Sequence, residues 1–163
     1  MDFDLALAFV LDQEGGYSKR PDDPETNYGI TIQTARAYGY RGSMRRISLD
    51  IVRRIYRQGY WERCRCDDLP EHPLRLVVFD AAVNSGPGQS IKWLQQAVGV
   101  EPDGVIGAET LRALSVYNGR TLQDLTLALI ERRLAFLRGL SKWRTFGRGW
   151  SRRIAALREV VTT

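Results

Sequence analysis

Two cysteines, one histidine and three lysines are all that a chain of 163 residues supplies of these types. Each scarcity removes a class of chemistry. Cys64 and Cys66 stand one residue apart, too close to pair with each other in an ordinary disulfide, so no covalent staple is expected and a reducing place of synthesis is comfortable. His72 with two cysteines makes a poor zinc set, and no metal site is expected. A Ser-His-Asp or Cys-His hydrolase would have to depend on that one histidine, which sits in the loop-like "LPEHP". No apolar run approaches the roughly 20 residues that cross a bilayer. The N-terminal "MDFDLALAFVLDQEGG" carries Asp2 and Asp4 where a signal peptide is positive, and it is read as part of the fold. Internal repeats, low-complexity linkers and strand patterns longer than a few residues are missing too.

What is present suits one mainly α-helical domain of ordinary composition, with 44% hydrophobic and 26% charged residues. Phe3, Ala6, Leu7, Val10 and Leu11 fall on one helical face, with Asp2 as its cap and Gly15-Gly16 as its stop. "TIQTARAYG" predicts a short helix closed by Gly39, and "SLDIVRRIYRQGYW" a helix opening on Ser48. "LRLVVFDAAVNSG" and "GQSIKWLQQAVGV" predict two more, and "EPDGVIGAET" a turn leading into a short helix through Leu114. A Thr121–Asp124 capping box predicts a long helix to about Leu140, and Arg148 to Val160 the last one. "NYGIT" is the one candidate for half of a small hairpin. The net charge of +5, carried almost wholly by arginine, favours an anionic partner. Solvated helix faces explain such a charge equally well, and charge alone does not choose between them.

The most informative stretch is Glu14 to Thr31, "EGGYSKRPDDPETNYGIT". A carboxyl at a helix C-terminus meets the negative end of the helix dipole, which disfavours its ionised form. A glutamate that keeps its proton is what cleavage of a sugar–sugar bond requires, commonly with a second carboxylate across the scissile bond. Asp22, Asp23 and Glu25 follow on a loop able to fold back over the helix end. Gly15-Gly16 leaves room for a polymer, and Tyr17 and Tyr28 offer flat surfaces for sugar rings. Taken alone, a glutamate before two glycines is also an ordinary helix end, and Asp-Asp-Pro is common turn chemistry.

The wording of three motifs resembles the phage and bacterial muramidases of glycoside hydrolase family 108. "EGGY…DDP…TNYGIT" looks like the family signature, "FDAAVNSGPGQSIKWLQQAVGV" resembles its Asp-x-Ala-Val-Asn-x-Gly helix and the next one, and "PDGVIGAET" is similar to the turn of its peptidoglycan-binding region. The resemblance implies a lysozyme-like fold, with residues 1–88 catalytic and residues 89–163 a helical, peptidoglycan-binding-like region packed into the same globule. It implies Glu14 as catalytic acid. The broader phage-lysozyme spacing of Glu, eight residues and Asp selects Asp23 as the second carboxylate. The next interval of that pattern falls on Gly29 instead of a threonine, with Thr26 and Thr31 on either side. Lys19 and Arg20 stand where the family has Asn-Asp, and its Gly-Gly before the threonine is missing.

The substrate contacts expected on this basis are Tyr17, Thr26, Asn27, Tyr28, Asp80 and Asn84. Asp80 has a competing structural role, because it is the single acid in an apolar helix. Asn84 suits either an N-acetyl group or a helix stop. Trp61, Trp93, Trp143 and Trp150 include at most a sugar platform besides core. The function implied is a monomeric, cofactor-free lysozyme acting as an endolysin. It would be made in the cytoplasm and admitted to the wall by a separate membrane-opening protein. A peptidoglycan-binding module with a lapsed active site is the alternative, motivated by Lys19-Arg20. An arginine-rich nucleic-acid binder is a poorer one, since no groove-reading motif is present.

Overall fold

The computed structural model describes residues 1–21 and 23–163; Asp22 lies outside the described residues. It is mainly helical, as the sequence predicts, with eight α-helices and one two-stranded hairpin among the described residues. Helix α1 spans Phe3–Gln13, and the Asp2 carboxylate accepts from the Leu5 backbone N–H at 2.9 Å, as a cap should. The hairpin pairs β1 (Thr26–Asn27) with β2 (Ile30–Thr31) and runs into α2 (Ile32–Ala37). Helix α3 (Leu49–Tyr56) opens on Ser48 and passes without a break into a π-helical turn over Arg57–Trp61. That turn holds Gly59, where a Cβ would come within 2.8 Å of the Tyr38 hydroxyl.

Helix α4 (Leu74–Ser85) is the centre of the molecule, buried on nearly every side and packed against α1, the π turn, α5 (Pro87–Val98) and α7 (Gly119–Arg138). Phe3, Trp61 and Phe79 meet edge to face beneath it, with centroids 5.3–5.9 Å apart. Helix α6 (Ala108–Leu114) packs on α5, and α8 (Trp143–Thr162) lies along α7. Among the described residues no helix is long and apolar enough to cross a membrane.

Two boundaries differ from expectation. Helix α7 starts at Gly119 because Asn118 is the cap and Thr121 returns the bond to its backbone, so Thr121 belongs to the capping box in the reciprocal role. Helix α8 starts at Trp143 rather than Arg148, extending through Gly147 and Gly149, which carry low helix propensity. Cys64 and Cys66 are both buried free thiols. His72 Nδ1 accepts from the Leu74 backbone N–H at the start of α4, a capping task.

The "PDGVIG" turn hangs on one buried amide. Gln95 Nε2 donates to the Asp103 carboxylate at 2.7 Å and to the Val105 carbonyl at 3.0 Å, and its Oε1 accepts from the Gly104 N–H at 2.8 Å. Gln95→Leu should therefore destabilise the protein by about 1–3 kcal/mol, because the turn's backbone groups lose their buried partner. Equilibrium urea unfolding measures this, and a change within error would show that the turn holds itself.

Candidate active site

Helix α1 stops at Gln13, and Glu14 follows in extended conformation (φ −87°, ψ 146°), its N–H still bonded to the Val10 carbonyl at 3.0 Å. The side chain thereby leaves the helix axis and turns inward, keeping 21% of its surface in solvent. Gly15 and Gly16 are exposed, and a Cβ on either would meet nothing within 4 Å. The chain then loops out and returns, because Ser18 and Thr26 exchange backbone hydrogen bonds of 2.9 and 2.8 Å. The hairpin that follows turns on Tyr28 and Gly29, both at positive φ (51° and 73°), as a two-residue type I′ turn requires.

This turn lies on the glutamate. A Cβ built on Gly29 would be 2.7 Å from Glu14 Oε2 and 2.9 Å from Cδ, so only glycine allows the approach. Tyr28, a non-glycine in the left-handed region, is held there by Tyr56, whose hydroxyl donates to the Tyr28 carbonyl at 2.8 Å. Burial pushes the Tyr56 phenol far up, with the nearby Glu14 adding to the shift, so it stays a donor across the physiological range. Burial also raises Tyr60, with Tyr38 and Glu14 contributing.

From the opposite side comes an arginine 139 residues away in sequence. Arg153 of α8 donates through Nη1 to Glu14 Oε1 at 2.7 Å and through Nε to Asp80 Oδ1 at 2.8 Å. Its Nη2 lies equally near Oδ1, at 2.8 Å, but off the line of a hydrogen bond, and is buried without a partner of its own. Arg133 of α7 donates to the other Asp80 oxygen at 2.5 Å. Burial alone pushes the Asp80 carboxyl up, but Arg133 and Arg153 more than offset it and hold the group below its usual range. Burial opposes the charge on Arg153, and Asp80 and Glu14 outweigh it, so its affinity for the proton rises.

The residues singled out in the sequence divide accordingly. The hairpin carrying Thr26, Asn27 and Tyr28 is brought to Glu14. Thr26 and Tyr28 are half-buried, and Tyr28 meets Tyr56 through its carbonyl. Asn27 is buried and donates to the Met44 carbonyl at 2.8 Å, a tie between the hairpin and the 3-10 turn Met44–Arg46. Asp80 takes the structural role that the sequence also allowed it. It is fully buried with both oxygens taken by arginines, so it reaches the site only through Arg153. Tyr17 is half-buried with the Arg45 guanidinium 4.2 Å from its ring centroid. Asn84 is half-buried one turn beyond Asp80 on α4, its Oδ1 3.5 Å from Ser85 Oγ. Asp23 is 62% exposed, and Arg20 approaches it only to 3.9 Å, a screened surface pair. Trp61 and Trp93 are core, whereas Trp143 and Trp150 are half-buried on α8.

Arg153, Arg133, Tyr56 and Gly29 were not singled out from the sequence as site residues. The two arginines had a signal: each occupies an apolar stripe, Arg133 among Leu129, Ile130, Leu134 and Leu137, Arg153 with Ile154, Leu157 and Val161. A cation inside such a stripe needs a buried anion, and Asp80 is the single acid in α4.

A groove of about 430 Å3 opens between α1 and α8, bounded by Gln13, Phe146, Trp150, Arg152 and Arg153. A larger depression of about 600 Å3 is built from α8 alone, beside Trp143 and Arg148, with no residue of α1 or the hairpin in its wall. The groove at Gln13 is therefore the one next to Glu14, which it meets through Gln13 and Arg153.

Residues 7–86 match the family described as glycosyl hydrolase 108, and residues 89–155 the family described as a predicted peptidoglycan domain. Among solved structures the chain is similar to that of Brucella abortus SagA, at 37% identity and a TM-score of 0.86, covering 98% of this chain and 93% of the other. No curated protein sequence matches it. With both halves of the chain matched in this order and a relative at 37% identity over almost its whole length, the protein belongs to the glycosyl hydrolase 108 family and carries a C-terminal peptidoglycan-binding domain.

Proposed function

We propose that the protein is a muramidase, hydrolysing the bond between N-acetylmuramic acid and N-acetylglucosamine in peptidoglycan. The observation that carries the reading is the setting of Glu14, a half-buried carboxyl gripped on one oxygen and covered by glycine on the other. Arginine can only donate, so Arg153 holds Oε1 as an acceptor. The proton of the acid form then resides on Oε2, which takes no hydrogen bond from any described residue and faces the hairpin turn. From there it passes to the glycosidic oxygen as the bond to the anomeric carbon breaks. Asp23, on the exposed loop between Ser18 and Thr26, is the second carboxylate of this reading, there to draw a proton from the attacking water or to stabilise the oxocarbenium charge, according to its separation from Glu14 when substrate is bound. Tyr17, Thr26, Tyr28 and Asn84 are the residues that this reading assigns to contact with an N-acetylated strand. The endolysin role belongs to the same reading, as does action from the cytoplasm after a separate protein opens the membrane. A net charge of +5 suits the anionic envelope such a protein would meet.

Purified peptidoglycan digested by the wild type should yield fragments with reducing N-acetylmuramic acid ends, identified by mass spectrometry. Glu14→Gln should lower the release by at least about 10³-fold, as loss of a general acid does. Reducing N-acetylglucosamine ends would replace the muramidase reading with a glucosaminidase. Sedimentation of both proteins with the wall and no fragments from either would leave a binding module.

A further inference from the structure

The groove beside Glu14 contains features that proton transfer does not use. Helix α8 has two interior glycines, and they differ in kind. A Cβ on Gly147 would strike the Trp143 ring at 2.8 Å, so packing accounts for it. A Cβ on Gly149 would meet nothing within 4 Å, and its backbone is ordinary helix, so neither packing nor conformation calls for glycine there. Glycine in a helix costs stability relative to alanine, and its remaining use is to let another molecule approach the backbone. Gly149 lies in the wall of the groove, between Phe146 and Trp150. Those two rings sit 5.9 Å apart at 34°, and Phe146 keeps 50% of its surface in solvent. Arg152, on the same wall, is exposed and pairs with no acid among the described residues. Asp12 stands on the opposite wall beside Gln13, which places positive charge on the α8 side of the groove. Arg153 bounds the groove and touches Glu14, so the two sites are continuous.

We propose that this groove is a subsite for a peptidoglycan glycan strand that still bears its peptide stem, an inference that rests on the muramidase reading. A sugar ring lies against the Phe146–Trp150 face, the strand passes over Gly149, and a stem carboxylate meets Arg152. The peptidoglycan-binding half then works as an extension of the catalytic cleft, not as a separate anchor.

Calorimetric titration with two soluble probes tests this: a disaccharide-tetrapeptide from peptidoglycan, and chitotetraose, a neutral glycan without a stem. Trp150→Ala should weaken both by about tenfold, from loss of an aromatic contact. Arg152→Gln should weaken only the stem-bearing probe, again by about tenfold, as loss of one charged contact does. Gly149→Ala should raise the Tm while weakening both probes, two opposite shifts that a merely structural glycine would not give. A Gly149→Ala protein with raised Tm and wild-type affinity for both probes overturns the proposal, as does an Arg152→Gln protein that loses both probes equally. Fragment release by the wild type, measured alongside, keeps the two readings apart. Release with unaltered binding in the groove variants sinks the subsite alone. Groove-dependent binding without release sinks the muramidase reading and leaves a binding site.

Discussion

Asp80→Asn should cost the protein about 3–5 kcal/mol of stability, the largest effect expected of any single substitution outside the hydrophobic core. Asparagine keeps the shape of the side chain and removes its charge. Arg133 and Arg153, buried with it, would then face each other, and among the described residues the Glu14 carboxyl alone would still accept from Arg153. Uncompensated buried charge is far more costly than a missing surface pair. Equilibrium urea unfolding should show a lower midpoint at unchanged slope, since the surface exposed on unfolding stays the same. A loss below about 1 kcal/mol would mean that the arginines find water or other partners once the acid is gone.

The same cluster sets an acid limit. The folded state holds the Asp80 carboxyl below its usual range, so in acid the unfolded chain binds the extra proton and the folded chain does not. The stabilisation is fully present above roughly pH 4, the ordinary aspartate value, and is lost as pH falls through the lower folded value. The wild type should lose stability below pH 4 more steeply than Asp80→Asn, and the two curves should converge at the acid end.

This cluster also shows where sequence reading reaches its limit. Helix α1, its Asp2 cap and its buried face are local properties, and they stand in the structure as their spacing predicts. Glu14 was singled out for the same reason, as a helix-end residue before two glycines. Its neighbours could not be found that way, because Arg153 lies 139 residues downstream and approaches through tertiary packing of α8 on α7. The basic C-terminal helices read as solvated faces or as an anion-binding surface, and most of their arginines are exposed. Arg133 and Arg153 differ only in phase: they fall on the apolar stripe, and phase on a long helix is legible once the stripe is drawn residue by residue. The second stripe lies almost wholly inside the helix that the sequence predicts from Arg148, so Gly147 and Gly149, which depress the helix signal ahead of it, displaced only the start of α8. Asn27 is a different case. It sits inside a functional loop but spends its amide on the Met44 carbonyl, and sequence cannot say which way a loop side chain turns.

Gly29→Ala should lower the rate of fragment release by about 10²-fold, comparable to an ångström of misplacement at a reacting group. The added methyl would sit 2.7 Å from Glu14 Oε2 and 2.9 Å from both Cδ and Cγ. Glu14 cannot give way freely, because Arg153 anchors its other oxygen and Asp80 and Arg133 anchor Arg153. The hairpin cannot give way freely either, since Tyr56 ties the Tyr28 carbonyl to α3 and Asn27 ties β1 to the Met44 turn. The left-handed φ of 73° adds a backbone cost of about 1–2 kcal/mol for alanine. A stability loss of that size leaves a domain of ordinary stability mostly folded, so the fall in rate has to come from the carboxyl. Gly29→Asn separates the two contributions, because asparagine tolerates the left-handed region but carries the same offending Cβ. If the clash with Glu14 is what matters, Gly29→Asn recovers stability relative to Gly29→Ala and stays as inactive. Recovery of activity along with stability would show that the backbone, and not the contact with the carboxyl, is why this position is glycine.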